Sequence, residues 1–83
     1  MFTVYVLHAP AHDKIYIGYT ADLESRLLSH NELGTKGYTL RYRPWVLVHK
    51  EEFASKAGAM KREKALKTGS GRAFVWNMIR QKG

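Results

Sequence analysis

The sequence predicts an α/β (α+β) fold: a small three-stranded antiparallel sheet flanked by helices, in the order β-β-α-β-α-α. Three observations point there. Two segments rich in β-branched and aromatic residues open the chain, separated by a turn that contains proline. A leucine stripe at helical spacing follows them. Finally, a third alternating apolar segment precedes two helix-length stretches divided by Gly69-Ser70-Gly71.

Phe2 to Leu7 reads as the first strand and Lys14 to Tyr19 as the second, with His8 to Asp13 as the loop of an antiparallel hairpin. Tyr5 and Tyr16 could approach each other across that ladder, whose register the sequence does not fix. Gly18, inside the second strand, marks a close backbone approach or a kink. Thr20 is a suitable N-cap for the first helix, with Asp22 and Glu24 in its first turn, where the helix dipole favours acids. Leu23, Leu27 and Leu28 form its apolar stripe, and Asn31 and Gly34 end it. Arg26 and His30, four apart, fall on one face. A polar, basic loop from Gly34 to Pro44 leads to a third strand over Trp45 to Glu51. Ser55 caps a helix reaching about Thr68. Ser70 caps a short last helix with Phe74, Val75, Met78 and Ile79 facing inward.

A chain of 83 residues reads as one domain with a modest core. Without cysteine it has neither a disulfide scaffold nor a thiolate zinc site, which fits a reducing cytoplasm. Met1-Phe2-Thr3-Val4-Tyr5 lacks the features of a signal peptide, and no apolar run reaches membrane-spanning length, so the reading is a soluble, cytoplasmic protein. Fourteen basic residues stand against seven acidic ones. All but Lys14 and Arg26 lie at residue 36 or beyond, and from Ala54 onward the single acid is Glu63. That asymmetry is the footprint of a polyanionic partner. Its plainer explanation is a solvated basic surface.

Glu63 is the sharpest chemical signal. Its neighbours by helical face are Ala59, Met60 and Leu66, and a carboxylate set among apolar positions is costly unless something pairs with it. A divalent cation or an arginine would serve; so would an ordinary i,i+4 pair with Lys67. Tyr5 and Tyr16 are either core aromatics or a general base, the latter requiring a pKa lowered from about 10 by nearby cations. Arg26 offers a guanidinium fork that matches phosphate oxygens, and His30 a proton relay or a partner for a tyrosine hydroxyl. His8, His12 and His49 have no metal-ligand spacing. Walker-type, HExxH and GxSxG motifs are absent.

Taken together, these residues resemble the GIY-YIG nuclease superfamily, and in particular its small single-domain bacterial branch, similar to the nuclease domain of the excision-repair endonuclease. Val4-Tyr5-Val6-Leu7 stands at the first signature. Tyr16-Ile17-Gly18 is the second unaltered, and Thr20 to Asn31 looks like the helix that follows. Met60 to Lys67 looks like the helix bearing the metal carboxylate. The first signature departs by reading Val-Tyr-Val, Tyr19 follows the second where smaller residues are frequent, and Phe74, Val75 and Trp76 replace expected charge near the end.

The resemblance implies a divalent-metal-dependent endonuclease that hydrolyses DNA phosphodiesters to a 5′-phosphate and a 3′-hydroxyl. In it Tyr5 or Tyr16 would act as base or hold the attacking water, Arg26 would grip the scissile phosphate and His30 would assist proton transfer. Glu63 would be the sole carboxylate on one Mg²⁺ or Mn²⁺. Lys36, Arg41, Arg43, Lys61, Lys64 and Lys67 would contact the nucleic-acid backbone, with strong salt dependence. So small a domain reads structure or backbone rather than a long sequence, as in repair or recombination. RNA is the other possible polyanion. Cutting both strands would need a homodimer, a protein partner or two encounters. The alternative is a non-catalytic nucleic-acid-binding module of the same fold.

Overall fold

The structure is a computed structural model that describes residues 1–33 and 41–82. Its described residues form three antiparallel strands and three α-helices in the order the sequence predicts: β1 (Phe2–Ala9), β2 (Lys14–Thr20), α1 (Leu23–Leu28), β3 (Val46–Phe53), α2 (Lys56–Leu66) and α3 (Gly69–Lys82). The strand order is β2-β1-β3, so the tyrosine-bearing β1 is central and β2 lies at an edge. The β1–β2 register places Tyr5 opposite Gly18 and Leu7 opposite Tyr16. A bulge shifts the β1–β3 register, with Val6 opposite His49 but Leu7 opposite Leu47.

Alternation along β1 divides the interior in two. Val4 and Val6 face α2 and α3, where they pack with Ile15, Ile17, Ala59, Leu66 and Val75. Tyr5, Leu7 and Ala9 face the other way and pack with Trp45, Leu23 and Leu27. Tyr16 packs in this second cluster too, so the phenols of Tyr5 and Tyr16 share a face, while Tyr19 packs on the other. The helices α2 and α3 meet at a tight turn, and a Cβ at Gly71 would lie 2.3 Å from the carbonyl oxygen of Ala65 and 2.5 Å from Cα of Leu66. No helix among the described residues is long and apolar enough to cross a membrane.

Several local expectations change. Thr20 ends β2 instead of capping α1; its hydroxyl accepts from the amide of Asp22 at 3.0 Å, and Asp22 is the cap, accepting from the amide of Ser25 at 3.1 Å. Pairing with Thr3 holds Thr20 in the strand, which leaves Asp22 at the position where a cap is needed. After Leu28 the helix widens into one π-helical turn, Ser29–Leu33. Arg26, before that turn, is exposed, while His30, within it, is buried. Ser55 caps α2 as expected, accepting from Gly58 at 3.1 Å. The last helix is not short. It spans fourteen residues and begins at Gly69, and Thr68, not Ser70, accepts from the amide of Gly71 at 3.2 Å. Val75 is fully buried, but Phe74 is turned outward and 47% exposed. Gly34 and Lys36 lie outside the described residues.

Candidate active site

The hairpin and the segment after α1 bring two phenols and an imidazole together against Trp45. Tyr5, from the middle of the central strand, is 1% exposed, and its hydroxyl lies 2.9 Å from Nε2 of His30. Tyr16, two residues along from Gly18 on the edge strand, places its ring centroid 6.2 Å from that of Tyr5 and 4.7 Å from that of His30. Trp45 closes the back, 6.3 Å from Tyr16. Gly18 is what lets the phenols approach, for a Cβ there would stand 2.8 Å from the Tyr5 hydroxyl and 3.1 Å from the Tyr16 ring.

His30 is positioned from both sides of the loop that follows it. The guanidinium of Arg43 donates from Nε to the His30 carbonyl at 2.7 Å and from Nη2 to that of Ser29 at 3.3 Å. Asn31 makes a reciprocal pair with the Trp45 backbone, donating to its carbonyl at 3.1 Å and accepting from its amide at 2.7 Å. Two carbonyls at the end of the helix are thus satisfied by one side chain, Arg43, thirteen and fourteen residues away. Arg43, expected as a phosphate contact, has its fork on backbone oxygens. Neither Asn31 nor Trp45 stood out in the sequence, because both act through contacts that local spacing does not encode.

The titratable groups act on one another. Burial pushes the Tyr5 phenol well above its ordinary range; Tyr16 adds to this, Arg26 opposes it and Glu63 raises it further. His30 is lowered by burial first, then by Arg26 and Arg43. Tyr5 thus keeps its proton and His30 stays neutral near pH 7, so theirs is a hydrogen bond between uncharged partners. The same effects locate the remaining groups, since Arg26 and Glu63 both stand within electrostatic reach of one phenol. Arg26 lines a cavity of about 220 Å³ with Thr20, Asp22, Ser25 and Ser29.

Glu63 projects from α2 with its side chain 17% exposed and pairs with Lys67 at 3.5 Å. Beside it, Arg62 donates from Nε and Nη2 to the two oxygens of Glu51 at 2.9 and 3.0 Å. Glu51 also bonds His49 at 2.7 Å, so α2 is tied to β3. The hydrogen bonds from Arg62 lower the Glu51 carboxyl against the opposing effect of burial, with help from His49. Among the described residues no three His, Cys, Asp or Glu gather about one point. A lone carboxylate suits a hydrated Mg²⁺ or Mn²⁺, which keeps waters and takes phosphate oxygens, and does not suit a closed zinc site.

Of the expected backbone contacts, Arg41, Lys61 and Lys64 are exposed, and Arg41 lies 5.7 Å over the Tyr42 ring. Lys67 is shared with Glu63.

Comparison with known proteins agrees with this geometry. Residues 1–77 match the family model described as the GIY-YIG catalytic domain. A UPF0213 protein of Staphylococcus haemolyticus is 45% identical over 58 residues, covering 70% of this chain and 71% of its own. One from Natronomonas pharaonis is 42% identical over 65 residues, 78% and 75% of the two chains. Another, from Halobacterium salinarum, is 39% identical over 67 residues, 81% and 86%. No solved structure matches. The chain belongs to the GIY-YIG family, whose catalytic domain is a nuclease fold.

Proposed function

We propose that the protein is a divalent-metal-dependent endonuclease that hydrolyses DNA phosphodiesters and recognises backbone or structure more than sequence, in a repair or recombination setting. The observation that carries this reading is the Tyr5–His30–Tyr16 array, with Arg26 and Glu63, opposite in charge, both within electrostatic reach of the Tyr5 phenol. A binding surface has no use for a carboxylate beside phosphate; a hydrolytic site does.

In this reading the Arg26 guanidinium pairs with the non-bridging oxygens of the scissile phosphate and stabilises charge that builds on them. The Tyr16 hydroxyl, on the edge strand, holds the attacking water. Tyr5, buried and strongly protonated, does not act as the base; it fixes Tyr16 and passes hydrogen bonding on to neutral His30. Water oxygen bonds to phosphorus, the phosphorus–O3′ bond breaks, and the products are a 5′-phosphate and a 3′-hydroxyl. The water's proton enters the tyrosine–histidine array, and the departing O3′ takes up a proton from solvent. Glu63 would hold one Mg²⁺ or Mn²⁺, which supplies Lewis-acid polarisation of the phosphate and stabilisation of the leaving oxygen.

The test is cleavage of supercoiled, linear, single-stranded and branched DNA with Mg²⁺, Mn²⁺ or EDTA, alongside Glu63→Ala. Metal-dependent cutting that disappears in the variant, with DNA binding retained or tightened, is the expected result. A variant that cuts at the normal rate removes Glu63 from the chemistry. One observation favours a second reading: Glu63 already has a cationic partner in Lys67. A non-catalytic nucleic-acid-binding module would show salt-sensitive binding with no cleavage in any metal.

A further inference from the structure

The open side of β2 borders a groove of about 340 Å³ lined by Ile15, Tyr16, Ile17, Lys67 and Arg72. Two features separate it from incidental basic surface. Tyr16 belongs both to this groove and to the array with Tyr5 and His30, so groove and site share one side chain. Its two cations come from the two sides of the α2–α3 turn and are brought together by it. The Arg72 amide bonds the Thr68 carbonyl at 2.9 Å, and its Nε donates to the Lys67 carbonyl at 3.4 Å. Lys67 reaches Glu63 at 3.5 Å, which joins the groove to the carboxylate. Among the described residues Arg72 forms no ion pair.

A planar guanidinium and a compact ammonium over an apolar floor, with an aromatic wall, fit a phosphodiester whose sugar lies against the isoleucines. We propose that this groove binds a backbone phosphate flanking the scissile one. Lys67 and Arg72 clamp it, and Tyr16 is the junction between the two subsites. The inference rests on the nuclease reading, because it takes the Arg26 side as the scissile subsite. It assigns to Arg72, which no motif singled out, a part in holding the strand. It also makes the minimal substrate one with a phosphate beyond the bond that is cut.

The test uses the DNA form that the wild-type protein cuts best, with neutral methylphosphonates placed one at a time around the mapped cut. Wild type should lose cutting at the scissile position and weaken at one flanking position. In Arg72→Gln the flanking sensitivity should vanish while the scissile sensitivity stays, with KM raised about fivefold near 0.1 M salt and a salt slope shallower by about one. Arg72→Lys should restore much of the affinity, and a matching circular-dichroism melt shows that both variants fold. If wild type cuts and the flanking pattern is the same in Arg72→Gln, the clamp is overturned and the nuclease reading stands. If wild type cuts none of the DNA forms in either metal, the nuclease reading fails and takes the clamp with it.

Discussion

Gly18 lies directly across the ladder from Tyr5, and the missing Cβ leaves the space that the phenol occupies, 2.8 Å from its oxygen. Gly18→Ala should therefore displace the Tyr5 ring and break its bond to His30. The expected outcome is a loss of about 1–3 kcal/mol in denaturant unfolding, typical of overpacking. Cleavage should fall more than tenfold. An alanine variant with wild-type stability and rate would show that the two strands part without consequence.

Tyr5 and Tyr16 should separate when each is changed to phenylalanine. Tyr5→Phe leaves the His30 nitrogen unpaired inside the protein and should cost about 1 kcal/mol of stability, with a modest loss in rate. Tyr16→Phe should cost little stability but at least a hundredfold in kcat, the scale of a lost proton-transfer group. Single-turnover cleavage beside equilibrium unfolding decides it; if Tyr5→Phe is the slower enzyme, the roles of the phenols are reversed.

Acid should weaken the fold in two stages. His30 is held below its ordinary value of 6.5, so the folded protein resists its protonation more than the unfolded chain does. Stability present above about that pH is lost as pH falls through the folded value. Glu51 is also held low, chiefly by Arg62, and its contribution, present above 4.5, is lost as pH falls further. Urea unfolding from pH 8 to pH 3 should show both stages, with His30→Gln flattening the first and Arg62→Gln the second. Unchanged slopes in the two variants would assign acid lability elsewhere.

Gly71→Ala tests the turn that joins α2 to α3. Its Cβ would meet backbone atoms of Ala65 and Leu66, which cannot swing aside as a side-chain end can. We expect a loss of about 3 kcal/mol, measured as a lowered urea midpoint with unchanged m-value. A midpoint within error of wild type would mean that the two helices move apart at little cost.

The sequence made the strands legible because alternation and turn chemistry are local. It read Gly18 as a close backbone approach or a kink, and the structure has the Tyr5 phenol close to where a Cβ would stand. Tyr5, Tyr16, Arg26 and Glu63 lie on the strands and helices where local pattern put them. It could not tell that Thr20 completes a strand while Asp22 caps the helix, since both residue types cap well and strand pairing decides between them. Phe74 reads as inward beside Val75, but neighbouring helical positions point about 100° apart, and with Val75 buried Phe74 is turned outward. Glu63 was read against Ala59, Met60 and Leu66; two of these are buried, while Met60 is 37% exposed. Arg43 and Asn31 were opaque because their partners lie fourteen residues or so away.

The single wide turn at Ser29–Leu33 has a consequence for anyone who redesigns this protein. It carries His30 inward onto the Tyr5 hydroxyl, while Arg26, about one turn earlier, stays exposed yet within electrostatic reach of the same imidazole. A substitution chosen to regularise that stretch would improve the helix and rotate the imidazole off the phenol.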